Sequence, residues 1–100
     1  MTYLFHPEAK QELMDGIEYY ESCRLGLGLD FASEIYSTIS NILSFPEAWP
    51  ALGGNLRRCQ TRRFPYGVIY AQDRHGVLIP SVMHLHREPD YWKNRIQYLP

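Results

Sequence analysis

The spacing of apolar residues predicts two helices in the first half of the chain. In each stripe the apolar positions recur every three or four residues, which places them on one helical face. They are Ala9, Leu13, Ile17 and Tyr20 in the first helix and Phe31, Ile35, Ile39 and Ile42 in the second. Pro7 suits the first helical position, because its missing N–H would have no helical partner there. Asp30 is predicted to cap the second helix. Residues 7–45 should therefore form an αα-hairpin, whose acids fall mostly between the stripes and should be solvated.

Short runs rich in β-branched and aromatic residues predict strands elsewhere. TYLFH precedes the first helix, and LRRCQT, FPYGVIYAQ and VLIPSVMHLH follow the second, with DRHG suited to a tight turn between the last two. Pro80 predicts an edge or a bulge, because proline removes a ladder hydrogen bond. The Pro- and Gly-rich segment from Phe45 to Asn55 is predicted to be a loop, and PDYWKNRIQ a short C-terminal helix.

These elements define the expected fold class, α+β. An N-terminal strand and an αα-hairpin precede a three- to four-stranded twisted antiparallel sheet, and the helices pack on one face of that sheet. One hundred residues are the size of one domain, so residues 1–100 are predicted to be a single domain. The composition, 45% apolar and 21% charged, is that of an ordinary globular protein.

The start of the sequence and the spacing of its two cysteines indicate no special location or bond. The opening MTYLFHPEAK has no charged leader followed by an apolar run, and no stretch approaches the length of a membrane span, so the cytoplasm is the expected location. Cys23 and Cys59 form no CxxC pair and are predicted to be two small buried residues. No metal or other cofactor is expected.

The charges divide the chain into an acidic and a basic half. Residues 1–50 carry eight acids and two bases, a formal charge of −6, whereas residues 51–100 carry eight bases and three acids, a formal charge of +5. The net charge of −1 conceals this asymmetry. Such a division suggests that one side of the fold faces an anion, either a nucleic acid or an acidic protein segment.

Alternation along VLIPSVMHLH predicts that His84 and His86 point from the open face of the sheet, if the apolar set that includes Val77 and Ile79 packs on the helices. Arginines and tyrosines of the preceding strands are expected on the same open face of the sheet. Arginine forks and aromatic rings suit single-stranded RNA. Histidine or tyrosine with arginine also suits a metal-free ribonuclease. The plainer interpretation is that both histidines are half-exposed sheet residues and that the arginines pair with nearby acids.

Seven segments of the chain, taken together and in order, resemble one family. They are HPEA after the first strand, YYE in the first helix, GLGLDF, FPEAWP, LRRC, RRFPYGVIY and SVMHLHREPDYW. The chain resembles toxins of the RelE/ParE superfamily, the toxic halves of bacterial type II toxin–antitoxin modules, also called plasmid stabilisation proteins. The resemblance implies a growth-inhibiting protein that forms a hetero-oligomer with a cognate antitoxin, whose C-terminal segment wraps the toxin and often covers its active surface.

Members of this superfamily divide by target, and the departures of this chain bear on that choice. Some members cleave mRNA in the ribosomal A site, and others poison DNA gyrase. The cleaving branch commonly has an arginine where this chain has Gly67, and a basic residue where it has Leu85. His86 and Glu88 replace two arginines of many relatives. A ParE-like toxin directed at gyrase or at an uncharacterised target is therefore predicted. The alternatives are a ribosome-dependent mRNA endoribonuclease of the RelE type and a weakly toxic or inactive stabilisation protein.

The candidate site residues follow from this resemblance and from the residue types. If the chain cleaves RNA, the candidate catalytic residues are His84, Arg87, Tyr91 and Arg63. The candidate residues for binding nucleic acid or antitoxin are Arg57, Arg58, Arg62, Arg63, His86, Arg87, Lys93 and Arg95. The expected partners are the antitoxin and either DNA gyrase or the ribosome with its mRNA, and no membrane.

Overall fold

The computed structural model describes residues 2–98, with the side chains of residues 2–96. Its elements, in chain order, are β1 (Tyr3–Phe5), α1 (Pro7–Cys23), α2 (Leu27–Ser44), β2 (Ala51–Gly53), β3 (Leu56–Gln60), β4 (Tyr66–Asp73), β5 (Gly76–His84) and a 3₁₀ helix (Lys93–Tyr98). The α+β class, the helical hairpin and the short C-terminal helix are confirmed. Between residues 2 and 98, no helix combines the length and the apolar character that crossing a bilayer demands.

The sheet has five strands in the order β1-β5-β4-β3-β2 and differs from the prediction in two details. Strand β1 lies parallel to β5, so the sheet is mixed, whereas the other neighbours are antiparallel. Strand β2 falls inside the segment that was predicted to be a loop and pairs with β3 at the sheet edge. Its three residues are all exposed, so they carry no alternation of buried and solvated positions that could have indicated a strand.

The helical hairpin begins as predicted but turns differently. Pro7 opens α1, and His6 caps it by accepting the Glu8 N–H at Nδ1, 3.1 Å away. Helix α2 begins at Leu27, earlier than predicted, so Asp30 lies in its first turn and is not the cap. There its charge still favours the helix N-terminus.

The turn between the helices is held by one carboxylate. Gly26 is the N-cap of α2 and has a φ of 89°, a left-handed conformation that glycine adopts without strain. Glu21, near the end of α1, accepts the backbone N–H groups of Gly26 and Gly28 at 3.0–3.1 Å. Glu21 therefore satisfies N–H groups at the start of α2 that have no helical partner.

The main core lies between the hairpin and one face of the sheet. The stripe residues of α2 are all buried, as are Ala9 and Leu13 of α1, while Ile17 and Tyr20 are partly buried against them. The sheet contributes Cys59, Val68, Tyr70, Val77, Ile79 and Val82. Both predicted apolar stripes are confirmed. Cys59 is buried as predicted, and burial raises the pKa of its thiol to about 11, whereas Cys23 is exposed, against the prediction.

A smaller cluster covers part of the opposite face, which was expected to be open. We call it the outer cluster: Ile69, Met83 and Trp92, with Leu56, Tyr91 and Ile96 packed against them. The chain after β5 turns back over the sheet and supplies three of these side chains. The C-terminal segment therefore covers part of the face of the sheet that points away from the helices.

Pro80 forms a bulge, which confirms the expected irregularity and changes the faces of β5. Ile69 pairs with Ser81 and Ala71 with Leu78, so two residues of β5, one of them Pro80, lie opposite Tyr70 alone. The extra residue shifts the alternation by one. Val82 and His84 consequently lie on the helix side, together with their neighbours on β4, and Met83 lies in the outer cluster. The prediction that His84 points from the face away from the helices is therefore wrong.

The two helices approach closely at two glycines. A Cβ on Gly28 would lie 2.6 Å from the carbonyl oxygen of Ile17, and a Cβ on Gly16 would overlap the ring of Phe31. Real Cβ atoms do not come so close to a backbone oxygen, so Gly28 sets the distance between α1 and the start of α2.

We predict that Gly28→Ala lowers the free energy of unfolding by about 1–2 kcal/mol, because overpacking outweighs the helix preference of alanine. Urea unfolding of the purified protein measures the change. Ser33→Ala, on the exposed side of α2, is the matched control and should stay within about 0.5 kcal/mol of the wild type. Equal stability of the two variants would contradict the close approach.

Candidate functional site

Two histidines meet where β5 ends. His84 is the last residue of β5 and is half-buried, and His86 is exposed, with 5.3 Å between the ring centroids. The backbone N–H of His86 donates to Nδ1 of His84 at 3.1 Å. In neutral His84 this bond places the proton on Nε2. The two residues are thus brought together, as the sequence predicted, although not on the predicted face.

An aromatic layer backs His84 on the helix side. Its ring centroid lies 5.1 Å from that of Tyr66, edge to face, and Tyr66 in turn packs against Phe31 at 4.7 Å. Tyr20 and Phe64 complete the layer, with 4.8 Å between their ring centroids. The pKa of Tyr66 is raised above the usual value of tyrosine, mainly because the side chain is partly buried. His84 therefore rests on side chains with little freedom to move.

Arg87 and Tyr91 lie next to the histidines. The Arg87 backbone N–H donates to the carbonyl of His84 at 3.0 Å, and its guanidinium lies 4.1 Å from the centroid of the Tyr91 ring. Arg87 is exposed, so its charge remains accessible while the ring of Tyr91 orients it. Four of the predicted site residues, the two histidines, Arg87 and Tyr91, are thus neighbours.

The Tyr91 hydroxyl, however, points into the fold. It donates to Oε2 of Glu12 in a short hydrogen bond and lies 3.0 Å from the Ser81 hydroxyl. Burial, followed by the hydrogen bond to Glu12, raises the pKa of Tyr91 to about 12. The phenol therefore keeps its proton throughout the neutral range.

Glu12 joins three parts of the chain. Its Oε1 accepts from the Ser81 hydroxyl at 2.9 Å, the Val82 N–H at 3.1 Å and Nη1 of Arg95 at 2.9 Å. Arg95 is only 8% exposed, and the same Nη1 also donates to the carbonyl of Pro80 at 3.1 Å. The acids of α1 were predicted to be mostly solvated, and Glu12 departs from that pattern because its hydrogen-bond donors lie 69 to 83 positions away in the sequence.

The network covers an otherwise free strand edge. Strand β1 pairs with β5 only from Val77 to Ile79, so within residues 2–98 the backbone groups of β5 beyond that point have no neighbouring strand on this side. Glu12 accepts a hydrogen bond from the Val82 N–H, and Arg95 donates one to the Pro80 carbonyl. Arg95 was predicted to bind nucleic acid or antitoxin, but the structure places its guanidinium inside this network.

Of the two arginines in β3, Arg57 faces the helix side. Its Nη1 donates to the carbonyls of Trp49 at 2.7 Å and Glu47 at 3.3 Å. The Tyr70 hydroxyl donates to the nearby Pro46 carbonyl at 2.6 Å. Arg57 therefore fixes the segment between α2 and β2 through one nitrogen of its guanidinium.

Arg58 lies on the other face, across Gly67. A Cβ at Gly67 would lie 3.1 Å from both Cγ and Cδ of Arg58 and 3.4 Å from Cδ2 of Leu85. The aliphatic stem of Arg58 thus occupies the room that glycine leaves. Within residues 2–96, no carboxylate forms an ion pair with Arg58, Arg62 or Arg87.

The remaining candidates have contacts with other parts of the chain. The backbone N–H groups of Arg62 and Arg63 donate to Oε1 of Glu34 at 2.6 and 3.2 Å, which anchors this loop to α2. The Arg63 guanidinium lies 3.7 Å from Asp30 in an exposed ion pair, and Lys93 pairs with Asp90 at 3.4 Å. Exposed pairs of this kind contribute little to stability and can exchange for a ligand.

A hairpin of helices on a mixed five-stranded sheet, with arginines and histidines at one end of the sheet, is consistent with a small RelE/ParE-like toxin. Residues 3–89 match the family described as the ParE toxin of type II toxin–antitoxin system, parDE. The chain therefore belongs to the ParE toxin family. A search of curated proteins found no match. Membership confirms the resemblance and means that the chain is the toxin of a type II toxin–antitoxin system, with an antitoxin as its partner.

We predict that Glu12→Ala lowers the free energy of unfolding by about 3–5 kcal/mol, because it leaves the buried Arg95 guanidinium without its closest carboxylate. Glu8→Ala is the matched control: Glu8 lies 3.5 Å from Arg95, its side chain is 65% exposed, and its loss should cost less than about 1 kcal/mol. Chemical denaturation measures both. Similar costs for the two variants would contradict the central place of Glu12.

Tyr91 should also affect stability at alkaline pH. The unfolded chain releases a tyrosine proton near pH 10, whereas folded Tyr91 holds its proton to about pH 12. Between these values the folded state binds more protons, so stability falls as the pH rises. We predict a shallower fall for Tyr91→Phe, measured by urea unfolding from pH 9 to pH 12. The exposed Tyr36→Phe is the control and should follow the wild-type slope.

Proposed function

We propose that this toxin arrests growth by binding DNA gyrase, and that it does not cleave RNA. The observation that carries the proposal is the placement of Tyr91, whose hydroxyl is hydrogen-bonded to Glu12 and Ser81 and has a pKa of about 12. Because these hydrogen bonds are made within the fold, the hydroxyl is not presented to an RNA phosphate, and its raised pKa is further from the neutral range that suits general acid–base catalysis.

Two arginines of the candidate binding set are held within the protein, which reduces the positive charge available to RNA, although Arg87 stays accessible. Arg95 is buried against Glu12, and Arg57 holds the carbonyls of the segment before β2. Arg63 pairs with Asp30, and Gly67 offers no side chain at all. Each charge-assisted contact to a developing anion contributes roughly 3–4 kcal/mol to catalysis, so a site without them would be slow.

Charge supports a protein target over the ribosome. A protein that enters the ribosome gains from a broad basic surface, but this chain has a net charge of −1 and an isoelectric point near 6.4. Three of the candidate arginines, Arg58, Arg62 and Arg87, have no ion pair with a carboxylate within residues 2–96 and are suited to a few defined contacts with acidic side chains. We propose that gyrase and the antitoxin compete for this set.

One observation favours the second candidate, ribosome-dependent mRNA cleavage. His84, His86 and Arg87 lie together, and imidazole transfers protons near neutral pH. In that case His84 would be the general acid or base and Arg87 the phosphate ligand. The third candidate, a weakly toxic or inactive stabilisation protein, would have the same fold and antitoxin partner without an arrest of growth.

The direct test is to induce the chain in bacteria without its antitoxin and to follow thymidine and amino-acid incorporation in one culture. Gyrase inhibition predicts that DNA synthesis stops first and that the purified toxin inhibits supercoiling by gyrase. An earlier stop in protein synthesis, with cleaved mRNA, would establish the ribosome-dependent alternative. No decrease in either incorporation would identify an inactive stabilisation protein.

A variant pair separates binding from catalysis. We predict that His84→Ala changes toxicity by less than about threefold, as does the control His75→Ala in the turn between β4 and β5. An RNA-cleaving site predicts instead a loss of about 10²–10⁴-fold for His84→Ala alone. Thermal unfolding of both variants shows that a change in activity does not reflect loss of the fold.

A further inference from the structure

Apolar side chains are exposed on the side of α1 that faces away from the sheet. Met14 is 52% exposed and Tyr19 is 60% exposed, whereas Ala9 and Leu13 on the opposite side of the helix are buried. A groove of about 600 Å³ runs along this side, with Met14 and Ile17 as its apolar lining. A smaller depression of about 290 Å³ adjoins it and is lined by Tyr19. We call the two together the α1 groove.

Acidic side chains border the α1 groove. Asp15 and Glu18 line both depressions, and Glu21 lines the larger one. Asp15 accepts a hydrogen bond from Gln11 at 2.8 Å, and Glu21 is occupied by the turn between the helices. Within residues 2–96, neither Asp15 nor Glu18 forms a salt bridge. Their charges are thus available to a ligand.

The charge of α1 narrows the choice of occupant. The helix carries five acids, namely Glu8, Glu12, Asp15, Glu18 and Glu21, and one base, Lys10. A second copy of the chain would bring the same acids against this side, and like charges at an interface are unfavourable. Nucleic acid is disfavoured for the same reason. The remaining match is a partner that carries both apolar and basic side chains.

We propose that the α1 groove binds a basic amphipathic helix of a partner protein. Apolar side chains at helical spacing would pack on Met14 and Ile17, and lysine or arginine on the flanks would pair with Asp15 and Glu18. Leu29, the residue after Gly28 at the contact between the helices, is also an exposed apolar side chain.

This site is separate from Arg58 and from the outer cluster. Arg58 and the outer cluster lie on the face of the sheet away from the helices, whereas the α1 groove lies on the outside of the helical layer. The proposal does not depend on whether the toxin acts on gyrase.

The test uses the full chain and a synthetic peptide of about 18 residues, five helical turns, with leucine on one face and lysine on the other. Its twin has glutamate in place of lysine. Fluorescence anisotropy measures the Kd of each labelled peptide. We expect the lysine peptide alone to bind, and added salt to weaken its binding, because screening acts on exposed charges.

Matched variants locate the binding. Glu18→Lys and Met14→Ser should each raise the Kd about tenfold or more, which corresponds to the loss of one important contact. Glu47→Lys makes the same change of charge in the segment after α2, and Leu52→Ser removes an exposed apolar side chain of β2; both should leave the Kd unchanged.

Several outcomes would overturn the proposal. They are absence of binding by the lysine peptide, equal binding of the glutamate twin, and equal effects of the test and control variants. Self-association that Met14→Ser abolishes would identify a second copy as the occupant instead. Circular dichroism of each variant confirms that the helices are retained, so that a loss of binding reports on the groove itself.

Discussion

The carboxylate of Glu12 is the group on which helix α1, the uncovered edge of β5 and the C-terminal segment all converge. It accepts hydrogen bonds from four donors on Ser81, Val82, Tyr91 and Arg95. A buried carboxylate is stable only when it is paired and its lone pairs are used, and here both conditions hold. Without it, the edge of β5 would expose backbone donors and acceptors of the kind that promote aggregation.

The Glu12 network distinguishes residues that have similar types in the sequence but different contacts in the structure. Tyr91 and Arg95 have the residue types of an RNA-binding or catalytic site, yet their polar atoms are used within the protein. Arg58, Arg62 and Arg87 have no such partner within residues 2–96. The segment that matches the ParE family ends at residue 89, so Tyr91 and Arg95 lie outside it, whereas their partner Glu12 lies inside. Glu12 thus connects residues inside and outside the matched segment.

The helices were predictable from the sequence because their apolar stripes and the proline at the start of α1 are local signals. Strand β2 was not, since three exposed residues carry no alternation. The Glu12–Arg95 pair spans 83 positions, and in a single sequence an acid between helical stripes is indistinguishable from a solvated one. For the site, the sequence indicated that His84, His86 and Arg87 are neighbours, but neither the direction of the Tyr91 hydroxyl nor the stem of Arg58 over Gly67 leaves a sequence pattern.

The bulge at Pro80 has a consequence for comparing this chain with relatives. Because one extra residue lies opposite Tyr70, every position after Pro80 has changed sides relative to a regular strand. A relative that lacks the bulge and is aligned here without a gap would have the residue matched to His84 on the opposite surface. The same residue type at an aligned position after Pro80 would then not occupy an equivalent position in the structure. Equivalence in this strand therefore has to be assigned from the pairing partner on β4, which for His84 is Tyr66.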